Sequence, residues 1–181
     1  MTTIDKVDET AAVWREGGFV EDSWTVAADD SALPEGDVIV SVARLSEDRE
    51  ALLSRNGRLG LLIDTDDDLD ATVAAVGDLS RLSLIALSFP KFQFGQSYSR
   101  ARLLRDRHGF AGELRAVGDI LIDQIPFMLR CGFESFEIRN EPTRAALERG
   151  DVPAIDLFYQ PLQDGSEAAV AGRSWLRRAA E

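Results

Sequence analysis

Apolar and polar positions along this chain follow two rhythms. Short runs of strand character occur in DVIVSVA (37 to 43), LGLLID (59 to 64), SLIALSF (83 to 89), ELRAVG (113 to 118) and SFEIR (135 to 139). Between and after them, helix-period stretches predict helices over 46 to 56, 67 to 79, 97 to 108, 119 to 131 and 142 to 150. Strands separated by helix-length connections imply βα units, which require parallel neighbours. The pattern therefore predicts an α/β protein with repeated βα units and a mainly parallel sheet. Ahead of these units, VWREGGFVEDSWTVA carries apolar residues on both sides of Gly17-Gly18 and predicts a β-hairpin, with Trp14 and Trp24 packing it onto the body. Residues 1 to 30 form an N-terminal arm in this reading, and 31 to 181 a single domain.

RHGF (107 to 110) and RCGF (130 to 133) each close a predicted helix just before a strand. A glycine after the helix accepts the left-handed backbone, and the phenylalanine folds back on the last turn. NGRL (56 to 59) is a third such joint.

Composition narrows the chemistry. With 181 residues, 45% of them hydrophobic, the chain can bury a core without staples. It carries 32 acidic and 20 basic residues, which argues against nucleic acid or an anionic membrane as partner. Residues 91 to 115 reverse that balance, with 6 basic and 2 acidic side chains. Cys131 and His108 are the only residues of their kinds, so a cysteine-bound cluster, an internal disulfide or a histidine-rich zinc site is not expected. Cys131 reads as a small buried hydrophobe. DTDDDLD (64 to 70) lacks the glycine and distal glutamate of an EF-hand loop, and an acidic helix start explains it. No metal or cofactor is expected. The opening MTTIDKVDET has no signal-peptide pattern, and no apolar run reaches about 18 residues, so a soluble cytoplasmic protein is expected.

The basic island is the candidate site. On the helix over 97 to 108, Tyr98, Arg102 and Arg105 form one stripe bordering the buried face, while Arg100 and Arg107 lie opposite and are expected to be solvated. Arg102 either pairs with Asp106 at i+4 or meets an anion. In ELRAVG, alternation places Glu113, Arg115 and Val117 on one face, so Arg115 needs Glu113 or an anionic ligand as partner. Gly118-Asp119 then makes the strand-to-helix turn where ligands of parallel sheets bind, with Gln124 in support. Asp119 is either the cap of the following helix or, like Asp123, a candidate general base. Convergence of Tyr98, Arg102, Arg105 and Arg115 on one oxyanion near this turn is the resulting expectation. The helix over 119 to 131 is apolar on several sides and contains Pro126, tolerable only in a first turn. Its excess of apolar surface predicts a homodimer using Ile120, Phe127, or Trp14 and Trp24.

FPKF, YSRARLLRDRHGFAGELRAVGDILIDQ and RCGFESFE together resemble a bacterial family catalogued as domain of unknown function nine-three-four. Its members are labelled oxidoreductases of sulfite reduction, after neighbouring genes. The resemblance carries over to Tyr98, Ser99, Arg102, Arg105, Gly112, Glu113, Arg115, Gly118, Asp119, Asp123 and Gln124. Where the family has an Asp-Gly-Arg triplet, this chain has Phe94, Gly95 and Gln96, which puts any role of that acid and base in doubt. A sulfite reductase needs sirohaem and a cysteine-bound cluster, which one cysteine cannot hold. The resemblance thus implies a non-redox accessory of assimilatory sulfite reduction, binding the reductase, another sulfate-assimilation protein or a small oxyanion. Two alternatives stay open: an enzyme acting on a small anionic substrate, and a purely structural interaction protein. ELRAVGDILIDQIPFMLRCGFESFEI is also similar to the last strand-helix-strand of phosphate-binding barrels, implying a partial TIM-barrel-like arrangement, with a doubly wound open sheet as the alternative.

Overall fold

The computed structural model describes residues 12–91 and 94–153, and the backbone of strands at 157–158, 167–169 and 177–179. Strands β1 (Ala12–Arg15), β2 (Gly18–Val20), β3 (Thr25–Val26), β4 (Val38–Ser41), β5 (Leu59–Ile63), β6 (Leu84–Phe89), β7 (Glu113–Gly118) and β8 (Ser135–Ile138) form one sheet in the order β2-β1-β8-β7-β6-β5-β4-β3. Helices α1 (Val42–Ser54), α2 (Leu69–Val76), α3 (Gln96–Asp106), α4 (Ile125–Arg130) and α5 (Glu141–Glu148) follow β4 to β8 in turn. From β3 to β8 every neighbour is parallel, whereas β1 runs antiparallel to both β8 and β2. A second sheet joins β9 (Leu157–Phe158), β10 (Glu167–Ala169) and β11 (Arg177–Ala179). Among the described residues, no helix is long and apolar enough to cross a membrane.

Strands β4, β5 and β6 are buried at every position, as expected of parallel strands covered on both faces. Their alternate side chains serve two cores. Val38, Leu61, Ile85, Leu87, Leu114 and Phe136 point outward into the larger core with the helices. Ile39, Leu62, Leu84, Ala86 and Val117 point inward and pack against Trp24, Val26 and Ala28. Strand order is sequential and lacks the reversal that defines a doubly wound sheet. The sheet curls instead into a half-barrel.

Chain length explains the curl. Strands β2 and β3 are the two edges, yet only residues 21 to 24 separate them in sequence. Five links from Val20 to Thr25 reach at most about 18 Å at 3.3–3.6 Å each. Eight strands laid flat would put those edges roughly 34 Å apart, at about 4.8 Å per gap. The sheet must bend until its edges come within reach, and residues 21 to 24, the strap that links them, bring Trp24 against the inner core. Arg58 Nη2 holds this strap through Ser23 Oγ at 2.9 Å, with its guanidinium 4.8 Å from the Trp24 ring. The expected N-terminal arm is therefore continuous with the sheet, and Trp14 and Trp24 pack in separate cores.

Two helices begin elsewhere than the pattern predicts. Helix α1 starts at Val42, because the Ser41 side chain accepts from Arg44 N and ends β4 without a loop. Helix α4 starts at Ile125, which places Pro126 in the first turn, where its missing N–H costs nothing. Asp119 is consequently not the cap of α4; residues 119–124 form a turn in which Gln124 Oε1 accepts from Leu121 N at 3.1 Å.

Candidate functional site

Arg115 projects from the middle of β7 into the half-barrel, on the face that alternation assigns to it. It is 2% exposed and, among the described residues, is the largest fully buried side chain. An unpaired guanidinium at this depth would be prohibitive, so its partners define the site. Asp22 of the strap accepts from Nη1 at 2.7 Å and from Nη2 at 3.1 Å. Glu113 Oε1 accepts from Nε at 3.1 Å and Nη2 at 3.0 Å, while Ser135 on β8 donates to the same oxygen at 2.6 Å. Arg15 of β1 binds Glu113 Oε2. Burial pushes the Glu113 carboxyl upward, but Ser135, Arg115 and Arg15 outweigh it and hold it below the ordinary glutamate value. Glu113 is thus a partner of Arg115, as the alternation suggested. Asp22, Ser135 and Arg15 complete the cluster; 93 residues separate Asp22 from Arg115, and no local pattern marks it.

The other arginines lie across the sheet. Helix α3 packs on the outer face of β6, so its stripe of Tyr98, Arg102 and Arg105 cannot meet the inward-pointing Arg115. No single oxyanion site gathers all three guanidiniums. Every N–H of Arg105 has a protein acceptor: Gly132 O, Phe110 O, Gly112 O and Glu134 Oε1, at 2.7 to 3.2 Å. Arg105 therefore ties together the two glycine joints at 107 to 110 and 130 to 133. Gly132 has φ +96°, and a Cβ there would lie 2.8 Å from Arg105 Cγ, so this brace requires glycine. Burial lowers the Arg105 pKa, and Glu134 opposes that shift. Arg102 takes Asp106 at 2.8 Å, the i+4 pairing, and approaches Arg130 O at 3.5 Å.

Arg100, expected in solvent, instead donates to the carbonyls of Asp64, Thr65 and Asp67, because the turn after β5 opens toward α3. Arg107 is exposed, 3.7 Å from Asp70. In the acidic turn itself, Asp67 accepts from Asp64 N at 2.7 Å and Asp68 caps α2 through Ala71 N at 2.9 Å.

At the carboxyl ends of β6 and β7, Gly118 has φ +112°, and a Cβ would sit 2.3 Å from Phe89 O. Only glycine lets β7 approach β6 this closely, while Asp119 N donates to Phe89 O at 2.8 Å. Tyr98 meets the Phe89 ring edge-on at 5.3 Å between centroids. Burial, then the neighbouring Cys131 and Asp123, push its phenol up to about 12. Asp123 is exposed, and burial raises the Cys131 thiol. Asp123 lies in the turn before α4, and Cys131 caps the end of that helix. Of the altered triplet, Phe94 is 37% exposed, Gly95 precedes α3 without a side-chain cap, and Gln96 begins that helix.

A family model described as "Bacterial protein of unknown function (DUF934)" matches residues 60–170. The chain belongs to this family. No curated protein and no solved structure matches it. The family match takes in Arg105, Glu113, Arg115 and Ser135, and begins after the strap that supplies Asp22.

Proposed function

We propose that this protein is a non-redox accessory of assimilatory sulfite reduction that works by binding the reductase machinery. The observation that carries the reading is Phe127, which is 50% exposed on α4 between Ile125 and Met128, both fully buried. An aromatic ring presented by a helix anchored this firmly is the kind of rigid apolar contact that dominates protein interfaces. The oxyanion form of the reading is weaker, because Arg105 and Arg115 direct their donors to the chain's own carbonyls and carboxylates. The test is co-sedimentation of the purified protein with the sulfite reductase of the same cell. Binding should weaken at least about tenfold in Phe127→Ser. Absence of a complex, or a complex indifferent to Phe127→Ser, would overturn it. A homodimer through the same ring is a further part of the proposal; Ile120 and Trp14 are buried and Trp24 packs on the inner core beneath Arg58, so Phe127 is the anchor we favour.

A second reading, an enzyme acting on a small anionic substrate with Asp119 or Asp123 as base, draws support from one feature. Asp119 and Asp123 both lie in the turn that follows β7, beyond the carboxyl end of a parallel strand, where barrel enzymes place their chemistry. Turnover of a phosphorylated or sulfated small molecule, lost in Asp123→Asn, would favour it over the accessory reading.

A further inference from the structure

Helix α4 carries two unlike features. The Phe127 ring is 50% exposed, while Leu129, two residues on, lines an apolar recess of about 660 Å³ between the β1–β2 turn and the end of α5. At about 100° per residue, these two side chains lie on opposite flanks of the helix. Trp14, Phe19 and Leu147 complete the recess wall, and all three belong to the larger core or pack against it. The recess has room for an aromatic ring, and among the described residues no side chain fills it. One helix thus presents a knob and borders a hole. A surface that holds both halves of a contact is complementary to itself, so two copies about a twofold axis can each give a ring and each receive one.

Charge selects the face that a second copy can use. With a net charge of −12, most approaches of two copies are repelled. That charge is unevenly placed. Residues 12–90, which include β3 to β6, α1 and α2, carry 16 acidic and 6 basic side chains, whereas residues 91–153, which supply β7, β8 and α3 to α5, carry 9 and 10. The α4 side is the near-neutral one. Knob and hole are also oppositely charged at their margins. Arg130 follows Phe127 at the i+3 spacing that puts both on one side of the helix, and Glu16 and Glu148 stand exposed at the rim of the recess. Glu148 already has Arg144 at 3.2 Å, and Arg149, on the same rim, has Asp151 at 2.8 Å. Glu16 is therefore the carboxylate best placed for an incoming Arg130.

We propose that the recess is the seat of the Phe127 ring of a second copy, in a twofold dimer whose rings and recesses are exchanged. The inference rests on the reading of Phe127 as an interface residue and names what that ring enters. A seated ring is withdrawn from the reductase, so self-association and reductase binding compete, and the dimer is the resting form.

Sedimentation of the full chain at micromolar concentration should show a dimer. Phe127→Ser removes the knob and Glu16→Arg reverses the rim, both at exposed positions that spare the fold, and each should weaken self-association at least about tenfold. A parent that stays monomeric, or a dimer indifferent to either replacement, would overturn the proposal. Co-sedimentation with the reductase separates this inference from the reading beneath it, because Glu16→Arg leaves the ring intact and should bind the reductase at least as well as the parent. Weaker binding by Glu16→Arg would overturn the competition. A dimer that depends on Phe127 and Glu16, with no reductase complex in any variant, would uphold the ring's seat and overturn the accessory reading alone.

Discussion

Removing the Arg115 guanidinium tests whether the buried cluster is a latch for the strap. In Arg115→Ala, Asp22 loses both its bonds to the guanidinium, and Glu113, whose side chain is only 11% exposed, keeps Ser135 and Arg15 alone. Stripping one partner from a buried ion pair costs about 3–5 kcal/mol, mostly through the charge left behind. Against a total stability of about 5–15 kcal/mol this is a large loss. At roughly 2–4 °C per kcal/mol for a chain of this length, the melting temperature should fall by about 6 to 20 °C. Asp22→Ala should cost less, about 2 kcal/mol, because Asp22 is 30% exposed and Glu113 stays with Arg115. Urea denaturation of both single variants and the double variant isolates the pairwise energy, expected at about 1–3 kcal/mol. A coupling below about 0.5 kcal/mol would refute the latch. So would millimolar sulfate raising the parent's melting temperature by an amount that Arg115→Ala abolishes, because Arg115 would then serve an anion and not the strap.

Three further outcomes follow from the geometry. Arg105→Ala, which leaves the carbonyls of Phe110, Gly112 and Gly132 without their donor, should lose about 2–3 kcal/mol in urea unfolding, and Arg105→Lys should recover only a minor part. The Glu113 carboxyl is held below its unfolded value of about 4.3, so its stabilisation is complete above that value and is lost as pH falls through the lower folded one; Glu113→Gln should flatten that acid limb of the urea midpoint. Ultraviolet titration should resolve a phenol ionising at about 12 that disappears in Tyr98→Phe.

Much of the sheet could be read from the pattern because burial on both faces makes each parallel strand a continuous apolar run. β7 occupies residues 113–118 and β5 ends at Ile63, within one residue of the predicted span. Boundaries moved where local chemistry opposed hydrophobic period. Val42 extends the apolar run of β4, yet the Ser41 cap turns the chain into α1 there. The apolar spacing of 119–131 suggests one helix, but with Pro126 in its first turn α4 occupies only the second half of that span. The candidate site was legible only by face. Alternation assigned Arg115 and Glu113 to the same side, and helical spacing aligned Tyr98, Arg102 and Arg105. Neither rhythm says which side of the sheet the helices cover, and that alone separates the two groups.

A closed eight-stranded barrel fills its interior with side chains drawn from every strand. This half-barrel has parallel strands on one side only, so the inward Ile39, Leu62, Leu84 and Ala86 need a cover from elsewhere. Trp24 of the strap provides it, together with Val26 of the edge strand β3 and Ala28 just beyond it. At its start the same strap delivers Asp22 to Arg115, so apolar cover and charge neutralisation arrive on one segment of the chain. This dual duty explains why an arginine can occupy the inner face at all: the residue that neutralises it cannot leave without uncovering Trp24's side of the core. It also directs attention away from the concave centre, where barrel enzymes approach their ligands, and toward the outer rim. There the half-exposed ring of Phe127 is a surface that the fold has not already used to hold itself together.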